Sequence, residues 1–302
     1  MALFEKALEA KVMSTHLLIR ANVSKTILYQ AHKIATDFES RYTAYQEHSF
    51  LNQINQNAGI KPIPCTAEDT AFFEICLNAS KHTKGLFDIS IGALSHGVYH
   101  FGFSNQSLPS ASMLCSQKRL VNAKDILLVN DSIFLKHKGM RIDVGGIGKG
   151  YVAKQISLFL AQKGATKILV DLGGEIITRG KSYTISIQDP FSKGNIAYLK
   201  TSTQDMSIST SGNYARFIDE QNHHILDSSK GTSPSYYSSM TLLQNGWKID
   251  YLDAYATALF NQAPSTLEEI SQNLNISLIT INTQAMVSLY HLKDLEIEGL
   301  KF

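Results

Sequence analysis

Asp143–Ile156 reads DVGGIGKGYVAKQI, with glycines at the alternate positions 146, 148 and 150 and a lysine among them. Upstream, SIFLKHKGMRIDV mixes β-branched, aromatic and aliphatic residues in short alternations, as strands do. Downstream, Val152, Ile156, Phe159 and Leu160 fall on one face at helical spacing, and Lys163-Gly164 makes a stop. The glycines therefore mark a strand-to-helix turn, where unpaired N–H groups and the helix dipole attract an anion. Two better-known glycine motifs are absent. A Walker loop needs Ser or Thr after the lysine, but Lys149 precedes Gly150. A dinucleotide fingerprint needs a third glycine where Tyr151 stands. A phosphate site and a tight turn without ligand both satisfy this segment.

The 302 residues suffice for one large domain or two smaller ones with a sizeable core. A net charge of +2 with 18% charged residues gives no basic field, so no nucleic acid is expected as partner. Cys65, Cys76 and Cys115 are odd in number and lack C-x-x-C spacing, which argues against a disulfide framework or a zinc site and fits a reducing compartment. No apolar run is long enough to form a transmembrane segment. The start MALFEKALEAKVMSTHLL has no basic n-region, apolar h-region or cleavage site. A soluble protein is expected.

Neither a low-complexity linker nor a periodic repeat interrupts the chain. THLLIRAN reads as a strand and SKTILYQAHKIATDFESRY as an amphipathic helix opened by Ser24. A second helix starts near Thr66, where Thr66 and Asp69 have capping-box spacing. GLFDISIGAL is strand-like, and the polar stretch from Ser107 to Lys124 reads as an irregular surface excursion. TKILVDLGGEIITRG and SYTISIQDP suggest neighbouring strands joined near Arg179-Gly180. MSISTSGNYARF and HHILDSS read as short strands around a polar turn; helices at YLDAYATALFN and STLEEISQNL and the strand ISLITIN follow. Long helices mixed with hairpin-like strands predict an α+β fold rather than a doubly wound sheet.

Several constellations carry chemical potential. Asp253 and Thr257 lie four apart on one helical face and present two oxygens suited to a hard cation such as Mg²⁺. Alternatively, Thr257 bonds back within its helix and Asp253 caps it or faces water. Ser209, Thr210, Ser211, Gly212 and Asn213 form a donor-rich turn for phosphate oxygens, or an ordinary polar turn. His223, His224 and Asp227 cluster within five residues, and a histidine there suits proton transfer or phosphate binding. In a strand His224 and Ile225 point to opposite faces, so only one of them meets a ligand. His96 and His100 are spaced i, i+4, but the internal Gly97 and the missing glutamate of H-E-x-x-H set that pair aside as a metal site.

In this order, these segments resemble the FAD:protein FMN transferase (ApbE) family over nearly the whole chain. VMSTH is similar to the family's Met-Gly-Thr entry strand, with Met13 in the methionine place. RYTAYQEHSFLNQIN is similar to the family's aromatic-Ser-x-Tyr…Ser-x-Leu-x-x-Leu-Asn stretch, matching Tyr45, Ser49 and Asn55. GLFDISIGAL resembles Gly-x-Phe-Asp at Phe87 and Asp88, and IDVGGIGKGYVAKQI carries Asp143, Gly146 and Lys149. LVDLGGEI, TSGNYARF, HHILDSSKG and DAYATALF match four further blocks. Three departures stand out: Asp227-Ser228-Ser229-Lys230-Gly231 replaces Asp-Pro-Arg-Thr-Gly, Lys154 stands where an acid is usual, and Glu175 where Asp or Asn is frequent.

The resemblance implies one domain over residues 1–302, or two intertwined α+β lobes within it, with mixed, largely antiparallel sheets and packed helices in an ApbE-like (T-fold-like) architecture. It implies Mg²⁺-dependent transfer of FMN from FAD, the substrate, to a Ser/Thr hydroxyl of an acceptor flavoprotein, with release of AMP. An FAD pyrophosphatase and a non-catalytic FAD carrier are the alternatives. The metal is expected on Asp253, Thr257 and the Gly146 carbonyl. His224 and Asp253 are the expected catalytic residues. Met13, Tyr45, Asn55, Leu86, Phe87, Asp88, Asp143, Lys149, Thr210, Ser211, Gly212, His224 and Ile225 are expected to hold FAD. A cytoplasmic location is expected, or a periplasmic one with the export signal removed.

Overall fold

The computed structural model describes residues 4–214, 216–292 and 296–298, without the side chains of 296 and 298. Ala215 of the TSGNYARF block and both ends of the 1–302 domain reading lie outside the described residues. Eight strands form one antiparallel sheet: β1 Lys6–Val12, β2 Thr15–Ala21, β3 Ile168–Leu172, β4 Glu175–Arg179, β5 Met206–Gly212, β6 Tyr237–Asn245, β7 Ser277–Asn282 and β8 Val287–Tyr290. They lie side by side in chain order, so the sheet is a meander. Each strand pairs antiparallel with the next. The functional parts are carried by the excursions between strands.

Five longer helices sit in those excursions: α1 Lys25–Tyr42, α2 Ala67–His82, α3 Gly148–Gln162, α4 Ile249–Leu259 and α5 Pro264–Leu274. Helix α1 begins where Ser24 accepts the Ile27 N–H, and it buries Leu28, Ala31, Ala35, Phe38 and Tyr42, a stripe of helical period. The Thr66/Asp69 capping box opens α2 as its spacing predicts. Asp69 also accepts from Arg41 and Tyr42, tying α1 to α2.

The sheet is buried on both faces. Ile168, Val170, Leu172 and Ile177 join the main core with the helices, while Leu169, Ile176, Met206 and Ile208 join a second core. A small three-stranded sheet of Thr184–Gln188, Asn195–Lys200 and Glu296–Glu298 contributes to that second core through Ile185, Ile187 and Leu199.

Three local expectations need correction. GLFDISIGAL forms no strand: Asp88 caps a 3₁₀ turn at Ile89–Ile91, and a short helix Gly92–Ser95 follows. SYTISIQDP does not neighbour the preceding strand, because Thr184–Gln188 pairs in the small sheet. The polar excursion contains a helix, Ala111–Lys118, which buries no residue.

Helices α3 and α4 cross in close contact, and Gly150 permits it. A Cβ on Gly150 would stand 2.4 Å from the Ile249 carbonyl oxygen and 2.7 Å from Asp253 Cβ. Gly150→Ala is therefore expected to force α3 and α4 apart and to destabilise the fold by about 1–3 kcal/mol. Urea unfolding at neutral pH measures this; an unchanged midpoint would mean that the crossing adapts freely.

Candidate active site

One end of the meander carries two tight hairpin turns. Val12 pairs with Thr15 and Leu172 with Glu175, leaving the two-residue turns Met13-Ser14 and Gly173-Gly174 with all four residues at positive φ. The C-terminal end of β5 reaches the same edge. A cavity of about 910 Å³ opens there, between the sheet end, the glycine turn, α4 and the His224 segment.

The glycine turn is built from its neighbours. Asn55 accepts the Ile142 N–H at 2.7 Å and donates to the Ile142 carbonyl at 3.2 Å, fixing the residue before Asp143. Asp143 Oδ1 accepts the Gly145 N–H at 2.8 Å, and Oδ2 accepts the Ser95 hydroxyl at 2.7 Å with His96 Nε2 3.4 Å away. Burial alone would push the Asp143 carboxyl up; His96, the Gly145 N–H and Ser95 outweigh it and hold it below its usual range.

Helix α3 then starts after Ile147, whose side chain offers no cap. The acceptor comes from another helix: Asp253 Oδ2 takes the Gly150 N–H at 2.8 Å. One of the N–H groups at this helix start is thus engaged by the chain's own carboxyl, from a residue 103 positions away. Asp253 is 2% exposed, so it neither caps its own helix nor faces water. Thr257 faces the same turn, its Oγ1 lying 3.0 Å from where a Cβ on Gly146 would stand.

Lys149 is held by acids. Its Nζ donates to Glu175 Oε1 at 2.6 Å and lies 3.7 Å from Asp253 Oδ1. Burial pulls the ammonium down, but Asp253 and Glu175 reverse this and keep it above its usual range. Burial and then Asp253's charge raise the Glu175 carboxyl against the pull of Lys149; burial raises Asp253 against Lys149 and the Gly150 N–H. Two buried carboxylates thus share one cation. Among the described residues no cluster of three or more His, Cys, Asp or Glu is set to hold a metal. The oxygen set of Asp253, Thr257 and the Gly146 backbone, in a pocket with one acid in excess, fits a hard divalent cation.

The short strand Asn222–His223 ends before His224, which sits at a bend, so His224 and Ile225 both line the cavity, against the expectation of opposite faces. Its Nδ1 lies 3.0 Å from the Arg216 carbonyl, an acceptor only, so Nδ1 carries the proton and Nε2 keeps its lone pair. Burial lowers its pKa from 6.5 to about 4 despite that bond. His223 turns inward, against Phe260 and the Pro234 carbonyl.

Met13, Leu86, Phe87, Asp88, Asp143, Gly146, Lys149, Thr210, Ser211, Gly212, His224, Ile225, Asp253 and Thr257 all line the cavity. Tyr45 and Asn55 are outside the lining: Asn55 braces the turn, and Tyr45 sits beside it, accepting from Arg216 Nη1 at 3.1 Å. Asp88 lines the cavity, but its carboxylate is engaged by Ser90 and the Ala123 N–H. Thr210–Gly212 belong to β5 itself, so the expected donor-rich turn begins only at Asn213. Sequence reasoning missed Arg216 and set His96 aside; both line the cavity. His96 carried an i, i+4 signal that pointed to metal, whereas its partner is Asp143. Arg216 carried no local signal.

His224 contributes stability that is complete above its unfolded value of 6.5 and is lost as pH falls through about 4, because the folded state excludes the proton. His224→Gln is expected to flatten the acid loss of stability across that window. Urea melts at stepped pH read this, and an identical slope in the variant would refute it.

The ApbE family profile matches residues 12–279. The chain is 27% identical over 228 residues to the FAD:protein FMN transferase of Klebsiella pneumoniae, covering 74% of this chain and 72% of that one. The flavin transferase ApbE of Vibrio cholerae has a TM-score of 0.81 at 19% identity, covering 95% of this chain and 96% of that one. The ApbE protein of Thermotoga maritima has a TM-score of 0.82 at 20% identity, covering 95% and 97%. These two likenesses show the fold: an α+β architecture of antiparallel sheets with packed helices.

Proposed function

The chain belongs to the ApbE family, and on that premise we propose that it is an FAD:protein FMN transferase acting on a Ser or Thr hydroxyl of an acceptor flavoprotein. One observation carries the reading. Asp253, Thr257 and Gly146, from two distant segments, meet at one wall of a cavity that also holds a neutral His224. In the reaction the acceptor oxygen bonds to the FMN-side phosphorus of FAD. The bond from that phosphorus to the bridging oxygen breaks, and AMP leaves with the oxygen. The acceptor's proton goes to His224 Nε2, which is free to accept it because the Arg216 carbonyl holds Nδ1–H.

Asp253, Thr257 and the Gly146 carbonyl would hold Mg²⁺, which supplies charge neutralisation to the pyrophosphate when bound. The chain's own residues do the positioning. Gly150 fixes Asp253 by its N–H, Asn55 and Asp143 shape the turn, and Lys149 bridges the two acids, pulling both carboxyls back against the effect of burial. Phe87, Leu86 and Ile225 give the cavity an apolar wall suited to a flavin ring.

Incubation with FAD and Mg²⁺, with and without an acceptor carrying a Ser/Thr site, tests this by AMP release and flavin fluorescence of the acceptor. Labelled acceptor and AMP are expected together, abolished by chelation and reduced about a hundredfold or more by Asp253→Ala. AMP without labelled acceptor would favour hydrolysis of FAD. No AMP with FAD still bound would leave only a carrier.

A further inference from the structure

The lysine of the glycine turn is not a free cation. Lys149 is engaged by Glu175 at 2.6 Å and has Asp253 at 3.7 Å, so its charge answers two buried acids before any ligand arrives. A dinucleotide pyrophosphate entering this cavity needs positive charge from elsewhere. Among the described residues lining the cavity, Arg216 and Lys193 carry a cationic group outside any ion pair. Lys193 lies on an exposed hairpin tip between Thr184–Gln188 and Asn195–Lys200. Arg216 is partly buried and anchored.

Three contacts hold it. Its backbone carbonyl accepts both the His224 N–H and the His224 Nδ1–H, each at 3.0 Å, which anchors the backbone from which the guanidinium extends and orients the imidazole. Its Nη1 donates to the hydroxyl of Tyr45 at 3.1 Å, a neutral partner that orients the fork without cancelling its charge. Its guanidinium also stands near the Tyr45 ring, 5.9 Å from the centroid. The remaining N–H donors meet no carboxylate within ion-pair distance among the described residues. An arginine fork held by a neutral hydroxyl and lining a cavity has donors suited to an anion.

We propose that Arg216 is the cation that binds the pyrophosphate of the dinucleotide, and that Lys149 is not. This rests on the FAD reading and deepens it. Tyr45 then acts as a positioning residue, aiming the guanidinium rather than touching the phosphates.

Equilibrium binding of FAD, followed by flavin fluorescence at low and high salt, tests it in the wild-type protein, Arg216→Met and Arg216→Lys. Arg216→Met is expected to weaken binding about tenfold or more and to flatten its salt dependence, with Arg216→Lys restoring part of both. Equal weakening in both variants with an unchanged salt dependence would assign Arg216 a structural role and overturn the proposal. Unaltered affinity in Arg216→Met would overturn it too. A wild-type protein that binds no FAD would overturn the FAD reading itself, and this inference with it.

Discussion

The carboxylate of Asp253 caps a helix to which it does not belong. Helix α3 starts without a side-chain acceptor of its own, and the Gly150 N–H turns to Asp253 on α4 instead. The contact exists because Gly150 has no Cβ: the Ile249 carbonyl and Asp253 Cβ fill that space. Three further placements follow from this crossing. It sets Thr257 against Gly146, brings Asp253 within reach of Lys149, and makes one wall of the cavity from segments far apart in the chain. An isolated buried carboxylate is costly; this one is offset by an N–H, a helix start and a shared lysine, all present before any ligand.

The crossing also sorts charge within the cavity. Around α3 the acids outnumber the cations, since Glu175 and Asp253 face a single lysine. Beside Tyr45, Arg216 faces a neutral hydroxyl, with the Asp143 carboxylate near enough to feel its charge. A pyrophosphate diester carrying a hard cation would suit such a surface, with the acid-rich wall able to hold the cation and the guanidinium the phosphate oxygens. His224 belongs to the arginine side, because the Arg216 carbonyl fixes its tautomer and burial keeps the ring neutral.

What the sequence revealed and concealed follows the range of the interactions. The α1 stripe, the Thr66/Asp69 box and the Asp253/Thr257 spacing are encoded within a few residues, and each is present in the fold. GLFDISIGAL misleads because a short apolar run has no period of its own. Its path is decided by Asp88 bonding Ser90 and Ala123, and by Gly92 packing where a Cβ would stand 2.7 Å from the Arg141 carbonyl oxygen. Proximity in sequence also suggested that Glu175–Arg179 and Thr184–Gln188 pair, yet the chain changes sheets between them. The cap on α3 and the orientation of Arg216 depend on partners more than 100 positions away, and no local pattern records such contacts.

The departures from the family pattern are absorbed by contacts rather than left as gaps. Lys154, in an acid's usual place, donates to Asp250 at 2.8 Å and pins α3 to α4 one turn before Asp253. Glu175 reaches Lys149 directly. In the altered Asp227–Gly231 segment, Ser229 and Lys230 fold back on Asp227, while Ser228 donates to the Gly85 carbonyl beside Leu86 and Phe87. Position 229 therefore supplies no cation to the cavity. The guanidinium lining it comes from Arg216, whose carbonyl is the anchor of His224. Two hydrogen bonds to the Arg216 carbonyl, from the His224 N–H and Nδ1–H, join the backbone that carries this charge to the imidazole. The cation and the imidazole that line this part of the cavity therefore both belong to the hydrogen-bonded pair Arg216 and His224.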